Sequence, residues 1–216
     1  MVNPIDFEIA GWDISDLNLY DSCKRAHVLE PDLIEQLKAD LEQIKPLKAV
    51  LNPEFIAANQ EDRCTNVIEG TNQELIDRLR GDIQAMKAKV DKVIVLWTAN
   101  TEMFLLPEIN SIDDLESRIA NNIPLPASVL YCIAALQEGV IYLNGSPQNT
   151  FHPAIVEYAA QKGAFIAGSD FKSGQTRFKT VMSDFLIGSG IRISSVVSYN
   201  HLGNNDGKNL SEDKCF

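Results

Sequence analysis

The sequence predicts an α/β fold with a largely parallel, doubly wound sheet. Three observations carry that prediction. Short apolar bursts recur along the chain and each ends in small or polar residues. Segments with apolar residues at helical spacing lie between them. Polar side chains gather just beyond the apolar bursts, where the strands of an open α/β sheet present a ligand crevice.

The bursts read as buried strands are, in order, "DFEIAGWDI", "EFIAAN", "KVIVLWTAN", "VIYLNGS", "AFIAGSD" and "ISSVVSYNHLGN". One helix is expected around Ile34, Leu37, Leu41 and Ile44, and another around Leu75, Leu79, Ile83 and Met86, because these apolar positions recur every three or four residues. Residues 110–122 are polar and read as a surface helix and loop. Phe178, Val181, Met182, Phe185 and Leu186 follow the i, i+3, i+4, i+7, i+8 pattern, which predicts an amphipathic helix over 174–189 that starts at Ser173 or just after and stops near Gly188 and Gly190. Strand and helix alternate, so right-handed crossovers between parallel strands are the expected connections. No repeat or low-complexity segment interrupts the pattern.

At 45% hydrophobic and 23% charged residues the chain can bury a sizeable core. A formal net charge of −11 without an offsetting Lys/Arg cluster argues against a nucleic-acid partner, since phosphates would meet a repulsive surface. No run approaches the length of a membrane span, no basic-then-apolar leader opens the chain, and a cytoplasmic location is the expectation. The four cysteines, Cys23, Cys64, Cys132 and Cys215, are widely spaced, so neither a zinc site nor a disulfide framework is suggested. His27 and His152 are too isolated to suggest metal ligands, and His201 reads as a hydrogen-bonded structural residue. The N-x-S sequons at Asn144 and Asn209 are taken as chance matches.

The residues that follow the strands are the candidates for chemistry. Beyond "VIVLW" come Thr98, Ala99, Asn100, Thr101 and Glu102; beyond "VIYL" come Asn144, Gly145 and Ser146; beyond "FIAG" come Ser169 and Asp170; beyond "VVS" come Tyr199, Asn200 and His201. Asp170, Lys172 and the Ser173-Gly174-Gln175-Thr176 helix start offer a cation, a hydroxyl and unpaired backbone N–H groups to one anion such as a phosphate. The other reading is local: Ser173 as a helix cap and Asp170 as a turn residue. Likewise Asn204, Asn205 and Asp206 make either a plain turn or a set of donors and acceptors for a sugar or cofactor. Neither G-x-G-x-x-G nor a P-loop occurs, "GSGIRI" ends a helix instead of opening one, and no nucleophile elbow is present. An ordinary NAD-dependent dehydrogenase is disfavoured on those grounds.

The segments "LWTANTE", "LNGSPQNTF", "DFKSGQT" and "SYNHLGNNDG", in this order and spacing, resemble the signature segments of the myo-inositol-1-phosphate synthase family, also called inositol-3-phosphate synthases. "GWDIS", "AHVL" and "EFIAANQEDR" extend the likeness from Gly11 to Leu210. The resemblance implies a Rossmann-like fold, NAD as cofactor and glucose 6-phosphate as substrate. It further implies an isomerase that oxidises, enolises, cyclises and reduces the sugar to myo-inositol phosphate, serving inositol and phospholipid biosynthesis. It places a partial NAD-binding domain over 1–169 and the beginning of an α+β catalytic and tetramerisation domain over 170–216, in a homotetramer.

Carried over residue by residue, the resemblance implies cofactor contacts at Asp13, Gln60, Arg63, Thr98, Ala99, Asn100, Thr101, Gly145, Ser146, Asp170, Ser173, Asn204, Asn205 and Asp206. It implies that Ser173, Gly174, Gln175 and Asn200 hold the sugar phosphate, and it makes Asp170, Lys172 and Asn200 the candidate catalytic residues. No metal ligand is implied. Ser169 stands where the family usually has the first of two adjacent aspartates, and Met103 where arginine commonly follows "NTE". The family's glycine-rich GWGGNNG loop should precede "GWDIS" by many residues, and its active-site lysines should follow "NLS". The expectation is therefore a chain that does not turn over glucose 6-phosphate alone and tends to aggregate, either a fragment or a truncated isoform that associates with full-length subunits.

Overall fold

The computed structural model describes residues 3–168, 170–172, 174–197, 207, 209 and 211, apart from the side chains of residues 4, 60 and 61. In chain order its elements are β1 (Trp12–Asp13), α1 (Leu19–Ala26), α2 (Pro31–Gln36), α3 (Lys38–Leu41), β2 (Leu47–Lys48), α4 (Asn72–Lys87) and β3 (Ile94–Trp97). There follow α5 (Ile112–Ala120), α6 (Ala127–Gln137), β4 (Ile141–Asn144), α7 (Pro153–Lys162), β5 (Ile166–Ala167) and α8 (Gly174–Gly188). Every described strand pair is parallel, in two groups ordered β1-β2 and β3-β4-β5. This is the Rossmann-like α/β arrangement: each sheet neighbour is reached through helices, and the strand carboxyl ends open on one edge.

α6 occupies the centre. Ala127 to Leu136 are all buried, which a helix achieves only when every side is covered, and α6 packs on α4, α7 and β4. α4 presents Leu75, Ile76, Leu79 and Ile83 to it. Tyr131, on α6, joins the two groups of strands. Its ring centroid lies 5.2 Å from that of Trp12 on β1 and 5.4 Å from that of Trp97 on β3. Its hydroxyl accepts the Val50 N–H at 3.1 Å, and Trp12 Nε1 donates to Asp82 of α4 at 2.9 Å. A buried aromatic cluster thus carries the contact that a strand would otherwise make.

α4 is started by a capping box. The Glu74 carboxylate accepts the Thr71 N–H at 2.8 Å, and Thr71 Oγ1 accepts the Glu74 N–H at 3.4 Å. Replacing Thr71 with Ala removes one acceptor from the exposed helix start. Chemical denaturation should show a loss of about 1 kcal/mol with the slope of the transition unchanged.

Several expectations need correction. "EFIAAN" is not a strand: Glu54 and Phe55 fall in the 3-10 turn Pro53–Phe55 and Ala58 and Asn59 in the 3-10 turn Ala58–Arg63, because Asn52 caps a turn opened by Pro53. The helix through Ile34 and Ile44 is broken at Leu37 (φ −94°, ψ 5°), and of its four apolar positions only Ile34 is buried. In "DFEIAGWDI" only Trp12 and Asp13 are strand, while Phe7 and Ile9 are exposed. Among the described residues 193–197 there is no strand; the rest of "ISSVVSYNHLGN" lies outside the described residues. α8 starts and ends where its periodicity predicts, yet Phe178, Val181, Met182 and Phe185 are exposed. Both sequon asparagines are buried, at 1% and 0% exposure, with their amide groups bonded inside the chain, which is incompatible with a glycan.

Candidate active site at the strand exits

Beyond β3 the chain turns through Thr98 to Thr101, and four bonds pin that turn. Ser146 Oγ, just past β4, donates to the Ala99 carbonyl at 2.6 Å. Glu102 accepts the Ser128 N–H at the amino end of α6, with its two oxygens 3.3 and 3.2 Å away. The Met103 N–H donates to the Phe55 carbonyl at 2.7 Å. Asn209 Nδ2 donates to the Thr101 carbonyl at 2.9 Å.

The turn beyond β4 is equally fixed. Asn144 Oδ1 accepts the Ser146 N–H at 3.1 Å and Gln148 Nε2 at 3.2 Å, while Asn144 Nδ2 donates to the Gln148 carbonyl at 2.9 Å. The Phe171 N–H donates to the Gly145 carbonyl at 3.2 Å, and the Phe171 ring lies so close over Gly145 that a Cβ there would overlap it. Gly168 has φ +99°, and a Cβ on it would run into the Asn144 carbonyl oxygen. Two backbones therefore meet without intervening side chains where β4 and β5 end.

A cavity of about 970 Å³ opens beside β3. Asp13, Arg63, Thr98, Ala99 and Asn100 line it, which brings five of the sequence-derived cofactor contacts to one hollow. Asp13 ends β1, and its Oδ1 accepts the Ser15 N–H at 2.8 Å, which fixes the carboxylate at the strand exit. Arg25, Lys89 and Lys92 also border the hollow and, with Arg63, supply cations in a chain whose net charge is −11. Ser146 joins this site through its bond to Ala99, and the Gly145 N–H donates to the Trp97 carbonyl at 2.8 Å. Thr101 adjoins the lining residues and offers its carbonyl to Asn209.

Asp170, Lys172, Gly174 and Gln175 are exposed and do not line the hollow; the Phe171 bond to Gly145 places their corner against the β4 exit instead. Asp170 takes φ +80°. The three strand exits are thus contiguous, running from the Asp170–Lys172 corner through Gly145 and Ser146 to Ala99. Ser173, Asn200, Asn204, Asn205 and Asp206 lie outside the described residues, as does the side chain of Gln60, whose backbone is in the 3-10 turn Ala58–Arg63.

The sequence reading placed Glu102 at the β3 exit without its buried partner, and missed Asn209 as a site residue. Glu102 is 5% exposed, and burial pushes its carboxyl up to about 7, against the Ser128 and Ala127 groups that favour the ion. Asn209 carried only a sequon signal. His152 is fully buried with both ring nitrogens unbonded, and burial lowers its basicity, so it stays neutral. Among the described residues no group of three or more His, Cys, Asp or Glu is placed to hold a metal ion, and no helix is long and apolar enough to cross a membrane.

Residues 1–200 match an NAD-binding family model described as myo-inositol-1-phosphate synthase. Inositol-3-phosphate synthase 1-A of Xenopus laevis is 51% identical over 221 residues, covering 100% of this chain and 39% of that protein. Inositol-3-phosphate synthase 1 of Oryza sativa subsp. japonica is 50% identical over 222 residues, covering 100% of this chain and 44% of the relative. The crystal structure of inositol-3-phosphate synthase from Caenorhabditis elegans superposes with a TM-score of 0.91 at 46% identity, over 99% of this chain and 43% of the other. The chain therefore spans roughly two fifths of the length of the relatives it matches.

Proposed function

The chain belongs to the myo-inositol-1-phosphate synthase family, and on that premise we propose that its strand-exit crevice holds NAD and serves the isomerisation of glucose 6-phosphate to myo-inositol phosphate. The observation that carries the reading is the convergence of Asp13, Arg63 and the Thr98–Asn100 turn on one hollow, hydrogen-bonded through Ser146 to the β4 exit. The residues fit a dinucleotide. A carboxylate at the end of a strand suits ribose hydroxyls, and the bordering cations suit a pyrophosphate. NAD, when bound, supplies a reversible hydride acceptor for the sugar.

The chain's own residues divide the remaining work. Asp13, Gln60, Arg63, Thr98, Ala99, Asn100, Thr101, Gly145 and Ser146 hold the cofactor. Asp170 and Lys172, at the adjoining corner, face the substrate with Asn200; Ser173, Gly174 and Gln175 grip its phosphate at the amino end of α8; and Asn204, Asn205 and Asp206 complete the cofactor site. The same reading assigns 1–169 to the NAD-binding domain and 170–216 to the beginning of a catalytic and tetramerisation domain. A homotetramer, a cytoplasmic location and a place in inositol and phospholipid biosynthesis rest on the family resemblance.

Titrating the chain with NADH, followed by nicotinamide fluorescence, tests the cofactor site. We expect saturable binding that Asp13→Ala weakens about tenfold, the loss of roughly one charge-assisted hydrogen bond. Absence of saturation in the wild type would remove the foundation of the reading.

A further inference from the structure

Asn209 lies far along the chain from every other residue around the β3 exit, yet it is 0% exposed there. Its amide uses both ends on backbone groups of separate segments. Nδ2 donates to the Thr101 carbonyl at 2.9 Å, and Oδ1 accepts the Ala57 N–H at 3.2 Å. Thr101 closes the turn that carries Thr98, Ala99 and Asn100. Ala57, also 0% exposed, immediately precedes the 3-10 turn Ala58–Arg63 that carries Gln60 and Arg63.

We propose that Asn209 is a positioning residue for the dinucleotide site: its side chain sets the spacing between the Thr98–Thr101 turn and the Ala58–Arg63 turn, which contribute Thr98, Ala99, Asn100 and Arg63 to the lining of the hollow. This rests on reading that hollow as the NAD site. An amide supplies the required pair of functions on two separate atoms, a donor toward a carbonyl and an acceptor toward an N–H, without a charge. The Met103 N–H bond to the Phe55 carbonyl ties the same two segments a few residues away. Without Asn209 that bond would be left as a hinge, and two buried backbone groups would lose their partners.

The test uses the full 216-residue chain as wild type, Asn209→Ala and Asn209→Asp. Hydrogen exchange reads the latch directly. In Asn209→Ala the Ala57 amide and the amides of residues 98–103 should exchange faster, while those of α4 and α6 keep their protection. NAD titration calorimetry reads the consequence, an affinity about tenfold weaker in Asn209→Ala. Asn209→Asp keeps the acceptor for Ala57 but at pH 8 sets a carboxylate oxygen against the Thr101 carbonyl. Its NAD affinity at pH 8 should therefore be at least as weak as that of Asn209→Ala.

Unchanged exchange at Ala57 and the 98–103 turn in Asn209→Ala would overturn the proposal. So would equal NAD affinities for the wild type and Asn209→Ala, or wild-type affinity in Asn209→Asp at pH 8. If the wild type binds no NAD, the dinucleotide reading and the positioning role fall together, while the exchange data still decide whether the two turns are latched.

Discussion

Gly168→Ala should cost at least about 3 kcal/mol of folding stability and abolish measurable NAD binding, the largest single-residue effect expected at the strand exits. Two costs combine. The backbone at Gly168 sits at φ +99°, a region that residues with a Cβ rarely adopt. The added methyl would also overlap the Asn144 carbonyl oxygen, which belongs to β4 and cannot swing aside as a side chain would. Relief requires β5 to separate from β4, whose described pairing is two registers long, Tyr142 with Ile166 and Leu143 with Ala167. Asn144 also organises the Gly145–Gln148 turn through three hydrogen bonds, so displacement there reaches Ser146 and its bond to Ala99. Gly145→Ala is the informative comparison. Its Cβ meets the Phe171 ring, a half-exposed side chain that can rotate away, so the loss should be smaller. Urea denaturation and NADH titration on both variants would decide it, and near-wild-type stability for Gly168→Ala would refute the close approach of the two backbones.

The contrast between these glycines shows where a sequence stops being informative. "KVIVLWTAN", "VIYLNGS" and "AFIAGSD" declared three strands because each is a short apolar run ended by residues that favour turns, and β3, β4 and β5 lie there. α8 was equally legible from a 3.6-residue period that depends only on local geometry. "EFIAAN" failed because its composition suits a strand while Asn52 and Pro53 dictate a turn that no hydrophobic count registers. α6 went unread for the opposite reason: a helix buried on all sides has no amphipathic period to detect.

At the site, the turn after β3 could be placed from the rule that ligands gather at strand carboxyl ends, and the wording of "LWTANTE" pointed to its chemistry. What holds that turn could not. Glu102 is separated from Ser128 by 26 positions, Ser146 from Ala99 by 47, and Asn209 from Thr101 by 108, and partnerships at those distances are settled by the fold alone.

The same pinning makes stability depend on pH through Glu102. Its carboxyl is buried at the amino end of α6 and titrates near pH 7, against an ordinary value of 4.5. Between those two values the folded chain keeps a proton that the unfolded chain has released, so folding takes up a proton and stability falls as pH rises. The contribution is fully present below about pH 4.5, declines through pH 7 and is lost above it, a span of about 3 kcal/mol. Glu102→Gln should remove that slope, because an amide accepts the Ser128 N–H without ever ionising. The variant should match the wild type near pH 4, exceed it by about 1 kcal/mol at pH 5.5 and by about 3 kcal/mol at pH 8. Melting both proteins across that range isolates the effect from every other titrating group, which the pair share. Parallel stability curves would mean that Glu102 is ionised throughout, its charge carried by the Ser128 and Ala127 N–H groups. In that case, the Thr98–Thr101 turn would be anchored by a helix-capping anion instead of a neutral buried acid.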